Sequence, residues 1–294
     1  MTKPKEGPGR KPEWLKKPLP KAGALREMER LLRERSLHTV CESARCPNKG
    51  ECFEHGTATF LIMGGVCSRN CRFCSVDGGR PAALDPEEPR QVADAATNLG
   101  LSFVVITSVT RDDLPDGGAA HFVATIAAVR ERLPEARIEV LVPDFQGDPD
   151  SVRLVLESIP EVFNHNLETV PRLYPRVRPQ ADYQRSLTVL EQAAREGRSV
   201  VKTGLMVGLG ETVGEVLTVL DDARLAGVEA VTVGQYLRPS QEHLPVEEYV
   251  RPEVFEEYRK HGESLGLRVE AAPFVRSSYR AEEGYLRAGR VDDL

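Results

Sequence analysis

Apolar runs of strand length recur along the chain, each separated from the next by a stretch whose apolar residues return at helical spacing. Runs near Ala58 to Gly64, Ser102 to Ser108, Ile138 to Pro143, Val162 to Leu167, Val200 to Val207 and Ala230 to Tyr236 read as six strands. Parallel strands need crossovers of a dozen or more residues, and the intervening helical stretches supply them. Strand starts recur at about the period of a βα unit, as in part of a (β/α) barrel, although a doubly wound open sheet shares that local pattern. Ahead of the first strand, Leu25, Met28, Leu31 and Leu32 fall at helical spacing, so a helix is expected between Ala22 and Leu37.

A chain of 294 residues can bury roughly three quarters of its unfolded surface, enough for a sizeable core without disulfides. Charge is uneven: the first 21 residues carry a net +5 and the remainder −11, for −6 overall. Met1 to Lys21, rich in lysine, proline and glycine, reads as a flexible arm, either a solvated tail or a segment that steers toward an acidic carrier protein. The acidic balance, the lack of a basic helix and the scarcity of aromatics argue against nucleic acid as a partner. The start Met1-Thr2-Lys3-Pro4-Lys5 has no apolar stretch of the signal-peptide kind, and no window is long enough to span a membrane. A cytoplasmic, reducing location without a membrane partner is therefore expected.

All six cysteines fall in two triplets, Cys41, Cys46, Cys52 and Cys67, Cys71, Cys74. Structural zinc and plain electron-transfer clusters usually take four protein ligands, so three thiolates per site point to a coordination position kept for something else. The second triplet, spaced Cys-x3-Cys-x2-Cys, converges from one short loop that can wrap one face of a cubane and hold three of its four irons. Zinc is the plainer alternative, with His55 three residues after Cys52 where a Cys3His set has use for it, although the second Cys-x2-Cys pair of a zinc ribbon is missing. Disulfides do not suit a reducing compartment.

With aromatic Phe73 just before its last cysteine, the run Cys67-Ser68-Arg69-Asn70-Cys71-Arg72-Phe73-Cys74 resembles the signature of the radical S-adenosylmethionine enzymes. The first triplet, spaced Cys-x4-Cys-x5-Cys, and the Arg276-Ser277-Ser278-Tyr279 segment are together similar to motifs of the lipoyl synthase family, and the likeness runs from about Trp14 to Tyr279. That resemblance implies an α/β fold, a partial (β/α)6 TIM-type barrel at 58–240. An N-terminal extension at 1–57 would carry the auxiliary cysteine loop, and a C-terminal extension at 241–294 the RSSY motif. It further implies two 4Fe-4S clusters and S-adenosylmethionine. One cluster sits on Cys67, Cys71 and Cys74 and yields a 5'-deoxyadenosyl radical; the auxiliary one sits on Cys41, Cys46, Cys52 and Ser278 and is consumed as a sulfur source. A serine oxygen among soft thiolates suits a labile cluster, whereas by itself the serine-rich tetrapeptide is ordinary turn material. The implied reaction inserts two sulfur atoms, at C6 and C8, into an octanoyl chain amide-linked to a lysine. The implied partners are octanoylated lipoyl carrier domains (2-oxoacid dehydrogenase E2 subunits and the glycine cleavage H protein) and a ferredoxin or flavodoxin electron donor. A biotin-synthase-like sulfurtransferase would share the second triplet but lack the first triplet and Ser278.

In a barrel, loops at the C-terminal ends of the strands build the active site, which places the second triplet on that rim. Thr107 and Ser108 open a polar loop, Thr107 to Gly118, that should approach the cofactor, though its acidic pair Asp112 and Asp113 would equally serve to cap the next helix. Asn166 and Glu168, alternating at the end of the fourth strand, are candidates for the ribose hydroxyls and the methionine amine, while His165 is expected on the other face as a packing residue. Arg178 would offer a bidentate fork to the methionine carboxylate. Glycines in Lys202 to Thr212 allow close backbone approach to a ligand, but the stretch lacks the phosphate-loop arrangement, so nucleotide hydrolysis is not indicated.

Overall fold

The computed structural model describes residues 9–16, 38–39, 48, 51, 59–279 and 281–286. Most of the basic arm, the helix expected between Ala22 and Leu37, His55 and the first cysteine triplet lie outside the described residues. Within the arm, Glu13–Leu15 form a single 3-10 turn whose Leu15 is buried, so that part is not a solvated tail.

In chain order the elements are β1 (His38–Thr39), β2 (Thr59–Ile62), β3 (Val66–Cys67), β4 (Asp77–Gly78), α1 (Glu88–Asn98), β5 (Phe103–Ser108), α2 (Ala119–Arg132), β6 (Arg137–Leu141) and α3 (Pro149–Glu157). They continue with β7 (Val162–Asn164), α4 (Tyr174–Val177), α5 (Tyr183–Glu196), β8 (Val200–Val207), α6 (Val213–Leu225), β9 (Ala230–Gln235), α7 (Pro252–Ser264), β10 (Arg268–Ala271) and α8 (Ala281–Leu286). Strands β2, β5, β6, β7, β8, β9 and β10 lie side by side in parallel, and β1 joins the outer edge of β2 antiparallel. Strand order follows chain order without a reversal, which makes the sheet a partial barrel rather than a doubly wound one. All six expected strands are present. β10 is additional, drawn from the segment expected to be a C-terminal extension; its sequence, Arg-Val-Glu-Ala, has too few apolar residues to announce a strand.

Register sorts the strand residues into two sets. One set, including Phe60, Ile62, Ile106, Val140, Phe163 and Val231, packs under the helices in the main core. The alternating set faces the barrel axis and changes character along it. Near the N-terminal strand ends Phe103, Val105, Val162 and Val200 form a separate apolar cluster with Ala281 of α8, against which Tyr285 packs. One layer up, Lys202 Nζ lies 3.1 Å from each carboxylate oxygen of Glu139, and Asn164 Nδ2 donates to the same carboxylate at 3.0 Å. Above that layer, Leu61, Thr107, Leu141, Gly204 and Met206 surround an open cavity. Helices α3, α5 and α6 start on Asp148, Asp182 and Thr212, whose side chains accept first-turn backbone N–H groups and so fix the lengths of the rim loops before them.

The ion pair across the axis is buried on both sides, with Lys202 at 7% and Glu139 at 0% exposure. Removing one member leaves an uncompensated charge, at a cost of about 3–5 kcal/mol. Urea unfolding of Lys202→Met should show that loss, and the double variant Lys202→Met/Glu139→Leu should recover most of it.

Candidate active site

Cys67, Cys71 and Cys74 occupy the rim directly after β2, in a loop that opens with β3 and closes by pairing β3 with β4 in parallel. Neighbouring rim segments hold this loop from several sides. Cys67 Sγ accepts from the backbone N–H of Arg69 and Thr110 at 3.4 and 3.3 Å. Ser68 Oγ donates to the Thr110 carbonyl at 2.9 Å and accepts from Asp112 N–H at 3.0 Å. Arg69, buried, reaches two carboxylates: Asp112 after β5 at 2.7 and 2.8 Å, and Asp144 after β6 at 2.6 and 3.0 Å. Burial opposes the charge on both partners, yet their attraction prevails, raising Arg69 further and holding Asp144 down to about 2. Opposite, Arg72 N–H donates to the Val177 carbonyl at 2.9 Å. His243 Nε2 donates to the Cys74 carbonyl at 2.9 Å, which leaves its Nδ1 to accept from Ser240 Oγ at 2.8 Å.

Asp112 and Asp113 therefore neither cap α2 nor face the cavity freely. Asp112 holds Arg69, Asp113 pairs with Arg111 at 2.8 Å, and Asp116 accepts from the Gly118 and Ala120 N–H groups at the start of α2. A charge inside the cysteine loop, Arg69, competes successfully for the acid that helix propensity assigned to a cap.

β7 ends at Asn164. The chain leaves the sheet through His165, Asn166 and Leu167 and returns at Glu168, which bridges Leu205 with a left-handed φ of 66°. Such a conformation in a non-glycine residue costs on the order of 1–3 kcal/mol and persists where its surroundings enforce it; here Glu168 N–H donates to the Gly204 carbonyl at 2.9 Å and Met206 N–H to the Glu168 carbonyl at 2.8 Å. Because strand alternation stops at Asn164, His165 does not turn away as expected. It lines the same cavity as Asn166 and Glu168, with Nδ1 donating to the Val142 carbonyl at 2.9 Å and Nε2 buried without a partner. Burial, helped by the nearby Arg178 charge, pushes its pKa down to about 4. Asn166 Nδ2 donates to Glu168 Oε1 at 3.1 Å, and burial pushes the Glu168 carboxyl up against the pull of Arg178.

Arg178 departs from the open fork expected of it. Its NH1 donates to the carbonyls of Asn166 and Leu167 at 2.8 and 3.3 Å, and its guanidinium lies 5.2 Å from the Tyr174 ring centroid, while Nε is buried without a partner. Thr107 lines the cavity, but its Oγ1 donates to the Leu141 carbonyl at 2.7 Å; Ser108 Oγ is buried and unpartnered. Phe73 lines the same space and packs on the core. Ser108, His165, Asn166 and Arg178, each with one buried polar atom that has no partner, thus line one cavity of about 320 Å³ together with the three thiol residues. Burial raises Cys71 to about 12 and Cys74 to about 11, so both are thiols at neutral pH in the chain by itself.

Cys41, Cys46 and Cys52 lie outside the described residues, but Asn48 and Glu51 beside them are described. Asn48 Nδ2 donates to the Phe274 carbonyl at 2.7 Å, and the Tyr279 hydroxyl donates to Glu51 Oε1 at 2.6 Å. Phe274 and Tyr279 bracket the partly buried Ser278, whose neighbours Arg276 and Ser277 line the cavity. Asn48 and Glu51 of the first-triplet loop are thereby joined to the RSSY segment, whose Arg276 and Ser277 line this cavity and whose Tyr279 lines the pocket below the ion pair.

A family model described as the radical SAM superfamily matches residues 61–223. A lipoyl synthase of Caldanaerobacter subterraneus is 55% identical over 277 residues, 94% of this chain and 97% of the relative. One of Thermus thermophilus is 52% identical over 95% of this chain and 87% of the relative. The chain belongs to the lipoyl synthase family. Among solved structures, methylornithine synthase matches with a TM-score of 0.57 at 16% identity, covering 92% of this chain and 77% of that one. Streptococcus suis SuiB, in a structure bound to S-adenosylmethionine, gives 0.56 at 13% identity, covering 84% and 60%. Both likenesses concern the fold. Family membership sets aside the zinc reading of the cysteine loop. Sequence reasoning passed over Arg69, Asp144, His243 and Arg276; Asp144 did carry a signal, as an acid at a strand's C-terminal end. No helix among the described residues is long and apolar enough to cross a membrane.

The unpaired imidazole generates a pH dependence. Its value of about 4 in the fold lies below the ordinary 6.5, so the unfolded chain takes up that proton first as pH falls. The resulting stability is complete above the ordinary value and is lost between there and the folded one, roughly 3 kcal/mol in all. Urea unfolding at a series of pH values should show this decline, flattened in His165→Gln.

Proposed function

We infer that the chain converts a protein-bound octanoyl group into a lipoyl group by inserting two sulfur atoms at C6 and C8, as a radical SAM sulfurtransferase. The observation that carries this reading is the joining of the first-triplet loop, through Asn48 and Glu51, to the RSSY segment, whose Arg276 and Ser277 line the cavity that also holds the second triplet. A different radical sulfurtransferase has no use for that junction.

When bound, S-adenosylmethionine on the first 4Fe-4S cluster supplies a deoxyadenosyl radical and the auxiliary 4Fe-4S cluster supplies sulfur. The described residues around the cavity suit the first of these groups. Cys67, Cys71 and Cys74 would hold three irons of the first cluster, and Cys41, Cys46, Cys52 and Ser278 would hold the second. The unsatisfied atoms match a ligand with an amine, hydroxyls and a carboxylate: His165 Nε2 and Asn166 Oδ1 accept, Arg178 Nε donates, and Ser108 Oγ does either. Glu168, beside Asn166, gives a carboxylate for the methionine amine. Phe73 and Thr107 complete the wall. Leu61, Leu141 and Met206 offer an aliphatic chain an apolar lining that keeps water from the reacting carbons. Gly204 makes room for this cradle, because a Cβ there would lie 2.7 Å from Asn166 Oδ1 and 2.9 Å from Thr232 Oγ1.

We assign octanoylated carrier domains, E2 subunits and the glycine cleavage H protein, as substrates, a ferredoxin or flavodoxin as electron donor, and the cytoplasm as location. The divisions at 57 and 240 remain our assignment for the cluster-binding extensions, with β10 joining the second of these to the barrel sheet.

Anaerobic incubation with reductant, S-adenosylmethionine and an octanoyl-lysine peptide, followed by mass analysis, should show two sulfur atoms in place of two hydrogens. Unchanged peptide from protein with both clusters filled would overturn the reading. Gly204→Ala should weaken S-adenosylmethionine binding by about tenfold or more, the scale of a lost hydrogen bond to a charged group, as read by equilibrium dialysis.

A further inference from the structure

The sacrificial site faces a problem that a permanent metal site does not. Metal binding ordinarily holds its ligand loops in place, so consuming the metal group would release them. The segment that carries Ser278 is anchored by contacts that involve no metal. On one side it lies against β9: Ala272 N–H donates to the Val233 carbonyl at 3.1 Å, and Gln235 N–H donates to the Pro273 carbonyl at 3.3 Å. The approach is close enough that a Cβ on Gly234 would lie 2.1 Å from the Val275 carbonyl oxygen. On its other side stand the two contacts to the cysteine loop, Asn48 to Phe274 and Tyr279 to Glu51. Asn48 is buried and stands between Cys46 and Cys52; Glu51 immediately precedes Cys52.

We propose that Asn48 with the Phe274 carbonyl, and Tyr279 with Glu51, form a metal-independent latch that keeps the auxiliary-cluster loop and the Ser278 segment together after the cluster is spent, so that the site can be refilled. This rests on the sacrificial role inferred above. Asn48, Glu51 and Tyr279 act as positioning residues. They are spaced around Ser278 so that its oxygen can leave iron without parting the two segments. The Tyr279 bond ends on a carboxylate, which makes it the stronger of the two.

The test separates a first turnover from a refill. Wild type, Tyr279→Phe and Asn48→Ala, each carrying both clusters, are taken through one exhaustive anaerobic turnover, desalted, and given equal amounts of ferrous and ferric iron with sulfide. Bound iron and cluster absorbance are followed with time. The first-turnover yield of two-sulfur product should match wild type in both variants. Refilling should slow about tenfold in Tyr279→Phe, the scale of a hydrogen bond to a charged group, and less in Glu51→Gln, which keeps an acceptor for the phenol. Amide exchange across residues 273–279 of the spent protein should rise in step. Refilling and exchange at wild-type rates in both Tyr279→Phe and Asn48→Ala would overturn the latch. Wild-type protein that yields no two-sulfur product with both clusters filled would instead overturn the functional reading beneath it.

Discussion

The attachment of the cysteine loop to the barrel centres on the buried ion pairs of Arg69. This side chain sits within the loop, between Cys67 and Cys71, and closes on Asp112 and Asp144, acids that belong to two different strand ends. Arg185 also reaches Asp144, at 3.3 Å, so the buried carboxylate is shared by two guanidinium groups. Breaking a buried pair of this kind costs about 3–5 kcal/mol, because the partner is left charged and unsolvated. A loop of eight residues with three cysteines has little apolar surface with which to dock itself. Ionic attachment acts there together with side-chain bonds through Cys67, Ser68 and His243 to give the loop its position on the rim.

Along its axis the barrel separates two environments with a charged layer. Below Lys202 and Glu139 lies an apolar cluster with Ala281 of α8, beside a smaller pocket of about 250 Å³; above them the interior opens into the larger cavity. An ion pair is a poor way to gain stability, since desolvation largely offsets its attraction. It is a firm way to set a floor, because both groups lose their partner if either moves. Asn164, bonded to the same carboxylate, ties that floor to the residue at which β7 ends. The depth of the cavity and the departure of the chain into His165, Asn166 and Glu168 are therefore fixed by one set of contacts.

The sequence made the six barrel strands and the second triplet's place on the rim legible, because strand period and cysteine spacing are local properties. β10 escaped because a strand at the end of a parallel sheet needs few apolar residues when one neighbour supplies the pairing. His165 was placed on the wrong face by carrying strand alternation past Asn164, where the ladder stops. Asp112 was read as a possible cap because the sequence shows its distance from the helix and hides its distance from Arg69, 43 residues away in the chain. The join between Glu51 and Tyr279 spans 228 residues, and no local pattern reports it. Errors of this kind gather where polar groups choose distant partners.

That same wall of the cavity gathers several of the fold's unmet polar groups and one strained residue in a single place. Glu168 holds a left-handed backbone, and Ser108, His165, Asn166 and Arg178 each leave a buried polar atom without a partner. An unmet buried donor or acceptor costs about 1–3 kcal/mol, so the wall carries several kcal/mol that the folded chain alone does not recover. Scattered over the molecule such groups would be unrelated defects. Gathered around three thiols, with Gly204 withholding a side chain so that Asn166 can face inward, they describe a ligand by its complement: polar on several sides, carrying donors and acceptors, and bound beside a cluster. A ligand that met these groups would offset that cost. The fold therefore has reason to keep the wall rigid without it, which is the service that Arg69, the floor pair and the Glu168 bridge perform together.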